Sequence, residues 1–362
     1  MVMHPWIGGT KIMIYTKTPQ IIEDRGALLL CNHRTRVDYI YGAWCYAYLL
    51  NSTSNGVSNL NSSLRFILKD SLKSVPVFGW VMQTLLYVFV SRNNKDADVG
   101  HIGETTEYLC NSGERPTMFL FPEGTDLSPS NKAKNKEYAE KEKLPVMDYV
   151  LYPKVAGLLT LLNSLRGRGA ALHDITIAYT DHTQGKRTNE KMILMGQMPT
   201  EIHLCVRRFD VDQVPNDRQM LKRWLEGSFG TKERLLRSFY ENNSKVPLRP
   251  VVDPNSQSTS TVLNTPEVEY WPKPIPLKVD LVRPLCIGFL WILCLIVGLT
   301  FISWVRWLLV ILCIVCTAVR GFFNGFDAIE LSLHRDMMEN ESKMEQSDSS
   351  QSHRSQKGIK RD

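Results

Sequence analysis

Several common signatures of function are absent from this 362-residue sequence. No block of five or more basic residues occurs, so its excess of six positive charges is too dispersed to indicate a nucleic-acid partner. No G-x-S-x-G segment occurs either, which argues against a serine esterase built on a nucleophile elbow. The eight cysteines show no zinc-ligand spacing, because Cys313-x-x-Cys316 lies among Ile, Val and Leu. Such cysteines are typical of small buried hydrophobes in a reducing compartment, and no metal site is predicted.

The amino-terminal end lacks a secretory signal. Met1 to Thr18 contains no continuous apolar run of the required length. Only 32 residues precede His33, and none of them is predicted to span a bilayer.

The carboxyl-terminal end does carry a membrane signal, since Arg306 is the only charged residue between Leu285 and Val319. Two arrangements stay open. In the first, residues 285–303 cross the bilayer and residues 308–319 lie at its surface, because about 12 residues form only ~18 Å of helix. In the second, the whole stretch is a hairpin that enters and leaves the membrane on one side. The pair Trp304 and Trp307 around Arg306 is typical of an interfacial belt between the two pieces. Basic residues flank both ends, which favours the hairpin with both ends in the cytosol.

Short apolar strands alternate with helical stretches, which predicts an α/β domain. The predicted strands are 28–31, 117–121, 175–179 and 202–206. A helix is predicted at 39–50, a solvated helix or loop at 130–143, and a further basic helix beginning near residue 64. The resulting division is a lead-in at 1–24, the α/β domain at 25–243, a linker at 244–280, a membrane segment at 281–325 and a polar tail at 326–362.

His33 and Asp38 form the first candidate pair, directly after an apolar strand. On one ideal helix they would point about 140° apart, so they meet only if His33 precedes a helix that Asp38 begins. Thr35 is then available as a helix cap. A carboxylate on one imidazole nitrogen leaves the other nitrogen as a base near neutral pH. The alternative is a capping Asp beside a surface His.

The segment Phe121-Pro122-Glu123-Gly124-Thr125 follows another apolar strand. Pro and Gly at a strand end expose backbone amides to a ligand, and Glu123 and Thr125 are candidates to hold hydroxyls and phosphate oxygens. The alternative is an ordinary β-turn.

Three further cationic or turn positions are weaker candidates. Arg92 follows the apolar run LLYVFV, where a guanidinium can clamp a phosphate. Lys69 and Lys73 lie four residues apart and are predicted to share one helical face toward phosphate groups, or else to be simply solvated. Pro153 lies in the turn YPKVAG after an apolar pair.

Taken together, these segments resemble the glycerolipid acyltransferase family. Its N-H-x4-D motif is matched by Asn32-His33 through Asp38, and its F-P-E-G-T motif by residues 121–125. Arg92 matches the arginine that ends the second motif, although the usual glycine near the start of that motif is absent. Pro153 matches the fourth motif. The segments NHRTRVD, VPVFGW, FPEGTD and HDITIAY narrow the resemblance to the lysocardiolipin acyltransferase-like branch, whose members usually carry an N-terminal membrane segment before the His motif.

The resemblance implies a glycerol-3-phosphate acyltransferase-like α/β domain with C-terminal membrane helices. It implies direct acyl transfer from acyl-CoA to a lysophospholipid hydroxyl, with His33 as general base oriented by Asp38, and no cofactor beyond acyl-CoA as co-substrate. Acceptor-binding residues are then expected among Arg92, Glu123, Gly124, Thr125, Lys69 and Pro153. The expected acceptor is lysophosphatidylinositol, lysophosphatidylglycerol, lysocardiolipin or lysophosphatidic acid.

The expected location is the endoplasmic reticulum membrane, with the active site facing the cytosol. The partners are acyl-CoA, a lysophospholipid and the bilayer, and no nucleic acid. A catalytically silent lipid-binding or scaffold protein of the same fold is the alternative. The complete set His33, Asp38, Arg92 and Glu123 argues against it.

Overall fold

A computed structural model describes residues 10–16, 26–51, 64–180, 199–242, 248, 275–278, 293, 300 and 303–339. The chain divides into two compact units, one of residues 1–67 and 113–297 and one of residues 68–112 and 298–362.

Strands and helices alternate along most of the chain. The strands are β1 Lys11–Thr16, β2 Ala27–Cys31, β3 Leu64–Lys69, β4 Val88–Val90, β5 Thr117–Leu120, β6 Ala171–Tyr179, β7 Glu201–Asp210 and β8 Ile275–Lys278. The helices are α1 Asp38–Asn51, α2 Phe78–Thr84, α3 Lys95–Asn111, α4 Pro129–Lys141, α5 Val155–Leu165, α6 Arg218–Glu241, α7 Ser303–Phe323 and α8, residues 326–339. Short 3-10 helices occupy Asp70–Ser74 and Val211–Gln213.

Seven strands of the first unit form one mixed sheet in the order β3-β5-β2-β6-β7-β1-β8. The run from β3 to β6 is parallel, β7 is antiparallel to β6 and parallel to β1, and β8 is antiparallel to β1. Every residue of β2, β5 and β6 is buried, as expected of strands covered on both faces. Because β2, β5 and β6 are parallel, the loops that leave their carboxyl ends lie at the same edge of the sheet.

Helices α5 and α6 contribute apolar faces to this unit. In α5, Leu158, Leu161, Leu162 and Leu165 are buried at the i, i+3, i+4, i+7 spacing of one helical face. The longer α6 is capped at its N-terminus by Asp217, whose side chain accepts hydrogen bonds from the amides of Gln219 and Met220. These two helices contact each other, and α5 contacts β5 while α6 contacts β6.

The four predicted strands are confirmed as β2, β5, β6 and β7, and the helix predicted at 39–50 is confirmed as α1, while the segment predicted as a solvated helix or loop is the helix α4. The basic helix expected near residue 64 is wrong. Residues 64–69 form β3 instead, because the backbone of residues 64–66 pairs in parallel with β5 and Arg65 is held by Glu114 at 3.3 Å. The predicted lead-in and linker also each contain a strand, β1 and β8, at one edge of the sheet. Apart from β8 and Leu248, residues 244–280 lie outside the described residues, as do 1–9, 17–25 and 340–362.

In the second unit, α7 is one unbroken helix of 21 residues. Residues 306–323 have a mean hydropathy of 1.9 and only 6% of them are buried, so this helix is long and apolar enough to cross a membrane. The predicted separate short piece at 308–319 is therefore wrong, whereas the interfacial belt at Trp304 and Trp307 stays a prediction. No Pro or Gly interrupts the helix between Ser303 and Val319. Of the predicted first piece, 285–303, only Leu293, Thr300 and Ser303 are described, so the choice between a span and a hairpin stays a prediction.

Candidate active site

The turn that carries His33 is anchored to the sheet by the preceding residue. The side chain of the buried Asn32 accepts a hydrogen bond from the amide of Ile177 at 2.8 Å and donates one to its carbonyl at 3.2 Å. Since Ile177 belongs to β6, the chain leaves β2 at a point fixed against its neighbouring strand. His33 therefore emerges at the carboxyl edge of the parallel strands.

His33 and Asp38 meet as the sequence predicts. The imidazole Nδ1 of His33 lies 3.1 Å from Oδ2 of Asp38, which is the first residue of α1 and is fully buried. Thr35 is not a cap that accepts from an amide. Its hydroxyl donates to Oδ1 of Asp38 at 2.8 Å and its amide donates to Oδ2 at 2.9 Å. Asp38 thus receives donors from the turn itself as well as from the imidazole.

A tyrosine from a distant strand completes the surroundings of Asp38. The hydroxyl of the buried Tyr179, the last residue of β6, donates a short hydrogen bond to Oδ1 of Asp38. Burial, and then the charge of Asp38, raise the pKa of Tyr179 well above its ordinary value, so Tyr179 remains a donor at neutral pH.

The segment 121–127 holds His33 from the other side. Oε1 of Glu123 accepts the amide of His33 at 2.7 Å, and the amide of Leu127 donates to the carbonyl of His33 at 2.8 Å. The ring of Phe121 stacks on the imidazole with centroids 4.2 Å apart. Both the main chain and the ring of His33 are therefore positioned. Within the described part of the chain, no group lies at hydrogen-bond distance from its Nε2, and 19% of the side chain is exposed.

Glu123 does not present its carboxylate to a ligand, and that part of the sequence prediction needs correction. Only 3% of the residue is exposed, and its second oxygen, Oε2, accepts the amide of Leu151 at 2.9 Å. Both oxygens are thus used by backbone amides of two different turns. Burial raises the pKa of Glu123 to about 8, although the two amide hydrogen bonds act in the opposite direction.

The turn containing Pro153 lies against the F-P-E-G-T segment. The amide of Lys154 donates to the carbonyl of Pro122 at 2.8 Å. Gly124 has φ +71°, and a Cβ placed on it would lie 3.4 Å from Nζ of Lys154, so the lysine side chain runs across the glycine. Thr125 accepts a hydrogen bond from the Asn131 amide group at 2.8 Å.

The remaining predicted cations belong to the second unit. Arg92 is exposed, has φ +67°, and its amide donates to the Asp98 carboxylate at 2.7 Å. Lys69 is exposed at the end of β3. The helical face that Lys69 was predicted to share with Lys73 does not exist, because the first ends a strand and the second lies in a 3-10 helix. Lys73 is also buried rather than solvated, since it pairs with a buried carboxylate of its own unit. The proposed phosphate contacts of Arg92 and Lys69 stay predictions.

Four residues of the site were missed in the sequence: Asn32 and Thr35 as anchors, Tyr179 as a donor and Lys154 as a cation. Tyr179 ends the apolar strand I-T-I-A-Y, so a parallel pairing of β6 with β2 would have placed it near Asp38. Lys154 directly follows Pro153, and only its packing on Gly124 distinguishes it from other surface lysines.

The arrangement suits removal of a proton from a hydroxyl group. A carboxylate on Nδ1 holds the imidazole in the tautomer with a basic Nε2 and stabilises the imidazolium that forms. Among the described residues, no three His, Cys, Asp or Glu side chains cluster in a way that could hold a metal ion.

Two family models match the chain. The model described as acyltransferase matches residues 13–166, and the model described as acyltransferase C-terminus matches residues 192–265. The first match contains His33, Asp38, Glu123 and Pro153, and together the two cover more than half of the chain.

Three curated relatives illustrate the similarity. The chain is 36% identical to lysocardiolipin acyltransferase 1 of Mus musculus over 68% of this chain and 63% of the relative. It is 36% identical to lysophosphatidylinositol acyltransferase 10 of Caenorhabditis elegans, over 61% of this chain and 54% of the relative. It is 30% identical to the probable 1-acyl-sn-glycerol-3-phosphate acyltransferase 5 of Arabidopsis thaliana, over 65% of this chain and 59% of the relative. The chain thus spans between half and two thirds of the length of these relatives. No solved structure matches it.

Proposed function

Because this chain belongs to the acyltransferase family, we propose that it transfers a fatty acyl group from acyl-CoA to a free hydroxyl of a lysophospholipid. The observation that carries the proposal is the His33–Asp38 contact at 3.1 Å, held in place by Glu123 and Tyr179. It supplies a positioned base at the sheet edge where loops from several parallel strands meet.

In the proposed reaction, Nε2 of His33 takes the proton of the acceptor hydroxyl as its oxygen attacks the thioester carbonyl carbon. Asp38 stabilises the imidazolium across Nδ1. The tetrahedral oxyanion collapses, the carbon–sulfur bond breaks, and the CoA thiolate leaves and takes up the proton that His33 holds. The acyl group passes directly between substrates, with no covalent acyl-enzyme.

The acceptor's phosphate and glycerol are proposed to lie near Gly124, Thr125 and Pro153. Lys154 is a suitable phosphate partner in this unit, since no described carboxylate lies within ion-pair distance of its Nζ. Glu123 acts by positioning His33. Arg92 and Lys69 are proposed as further phosphate contacts.

The names of the relatives support phospholipid acceptors. We propose lysophosphatidylinositol, lysophosphatidylglycerol or lysocardiolipin as the acceptor, with lysophosphatidic acid as a further candidate. The proposed location is the endoplasmic reticulum membrane with the active site toward the cytosol, and the apolar α7 supports membrane association.

The proposal is tested by incubating the purified full chain with radiolabelled acyl-CoA and a panel of lysophospholipids. A labelled diacyl phospholipid is the expected product. Labelled free fatty acid would indicate a hydrolase, and unchanged acyl-CoA with every acceptor would favour the catalytically silent lipid-binding protein.

A further inference from the structure

Helix α2, in the second unit, has its polar side buried and its apolar side exposed. Gln83 is 1% exposed and Gly79 is buried, and these two residues lie four apart on one face. On the opposite face, at i, i+4 and i+8, the exposed fractions are 60% for Val77, 47% for Val81 and 44% for Leu85. A helix that packs in water has the reverse pattern.

The apolar face extends beyond α2. Val75 and Phe78 are 40% and 39% exposed, so five large apolar side chains lie within eleven residues of chain. Single exposed apolar residues are ordinary, whereas a contiguous group of them marks an interaction surface. We define residues 75–85 as the α2 patch.

Gln83 explains why α2 is oriented in this way. Its amide nitrogen donates to the carbonyls of Lys73 and Gly79, both at 3.0 Å, and its oxygen accepts the amide of Phe326 at 3.1 Å. One buried side chain thus joins α2, the preceding 3-10 helix and the start of α8. Rotating α2 to bury its apolar face would break the two hydrogen bonds that Gln83 makes outside the helix, to Lys73 and Phe326.

The α2 patch is fixed to the turn that follows α7. Lys73 pairs with Asp327 at 2.8 Å, and the two side chains are 4% and 2% exposed. Between α7 and α8, Gly325 packs so closely that a Cβ on it would lie 2.3 Å from the Gln83 side-chain oxygen. Near the end of α7, Arg320 reaches Asp70 at 3.4 Å and the Asn324 carbonyl at 3.0 Å. The patch therefore lies beside the carboxyl-terminal end of α7.

Helix α7 indicates what covers the patch. Its 21 residues span about 31 Å, close to the ~30 Å of hydrocarbon in a bilayer. Large apolar side chains are exposed on different sides of it, including Trp307 at 69%, Leu308 at 57% and Val310 at 46%. A helix that is apolar on nearly every side is suited to lipid. The charged groups beside its end are paired with one another, as such groups must be close to a bilayer.

We propose that the α2 patch and α7 form one membrane-binding surface. Helix α7 enters the bilayer, and the α2 patch inserts its apolar side chains into the same leaflet, at the level where α7 ends. The occupant of the patch is phospholipid, not a second copy of the chain or another protein.

A photocrosslinking experiment on the full chain in phosphatidylcholine nanodiscs tests this surface. Benzoylphenylalanine is placed at Val81, at Ile314 as the α7 position, or at Glu107, an exposed polar position of α3, as the control. With tritiated phosphatidylcholine, we expect lipid adducts at Val81 and Ile314, each at least tenfold above Glu107.

Three outcomes would overturn the proposal. Adducts at Ile314 without any at Val81 would place the patch outside the bilayer. A crosslinked dimer at Val81 would show that a second copy of the chain covers the patch. An absence of adducts at both positions would show that neither the α2 patch nor α7 contacts lipid. None of these outcomes depends on acyl transfer, so the proposed function can fail separately.

Discussion

The carboxylate of Glu123 holds the main chain of His33, with Oε1 2.7 Å from the His33 amide nitrogen and Oε2 2.9 Å from that of Leu151. One buried side chain thereby ties the turn of the proposed base to the turn that contains Pro153. We therefore propose Glu123 as a positioning residue, and its removal should affect the chemical step more than substrate binding.

Glu123→Gln should lower kcat by roughly tenfold or more while the acceptor KM changes little. The Gln side chain keeps one oxygen acceptor, so the amide of either His33 or Leu151 loses its partner, at a cost of about 1–3 kcal/mol. Steady-state kinetics with varied acceptor measure both constants. A raised acceptor KM with unchanged kcat would instead indicate that Glu123 contacts the head group of the acceptor directly.

The stability of the wild type should depend on pH in a way that the stability of the Glu123→Gln variant does not. Burial raises the pKa of Glu123 to about 8, above its ordinary 4.5, so the folded chain holds a proton there that the unfolded chain releases. The resulting stability is fully present below pH 4.5 and is lost as the pH rises through 8. Relative to the non-titrating Gln variant, wild-type stability should fall by up to about 1.4 kcal/mol per pH unit between pH 5 and 8. Denaturant unfolding in detergent measures this difference, and a constant difference across that range would contradict it.

Tyr179→Phe should lower kcat by about tenfold without changing either KM. The change removes one donor from Asp38, so the carboxylate orients and stabilises the imidazolium less well. Tyr15→Phe is the matched control, because Tyr15 is also buried and its hydroxyl also forms a hydrogen bond with a side chain, in this case Nδ1 of His203 at 3.0 Å. Equal loss of activity in both variants would show that Tyr179 acts only through stability.

The sequence predicts the strands β2, β5, β6 and β7 and the His33–Asp38 contact, because these follow from local patterns. An apolar run followed by a polar island marks a strand end, and the spacing of five allows only one geometry for the pair. What it could not predict depends on long-range packing. Glu123 turns inward because amides from two separate turns converge on it, and Tyr179 reaches Asp38 from 141 residues away in sequence.

The errors have the same origin. The sequence predicts that Lys73 is solvated, because its partner Asp327 lies 254 residues later in the chain. Residues 64–69 become a strand because β5 offers a partner. Tertiary contacts decide each of these cases, and no local window contains them.

Lys154→Met should raise the KM of whichever substrate places a phosphate at Gly124, by roughly threefold to tenfold, with kcat nearly unchanged. Methionine keeps the apolar stem over the glycine and removes the charge. Varying the lysophospholipid and the acyl-CoA separately shows which phosphate is bound. Lys134→Met, an exposed lysine of α4, is the control, and a KM effect no larger than that of the control would exclude Lys154 from the site.

Breaking the Lys73–Asp327 pair should destabilise the second unit. Lys73→Met or Asp327→Leu alone leaves one charge buried without its partner, at a cost of about 3–5 kcal/mol. The double variant leaves neither charge and should recover much of that loss. Thermal unfolding of the three variants in detergent measures the coupling. Additive losses in the double variant would show that the two residues act independently.

His33→Ala tests most directly whether His33 is the general base of acyl transfer, on which the proposed function depends. The side chain is partly exposed at a turn, so the variant should fold as the wild type does and show the same fractionation between membrane and soluble fractions. The measurement is the rate of formation of labelled diacyl phospholipid from acyl-CoA and the best acceptor, at equal protein levels. We expect a loss of at least a thousandfold, within the range that general-base catalysis contributes. Retention of a tenth or more of wild-type turnover would contradict the assignment of His33 as the base.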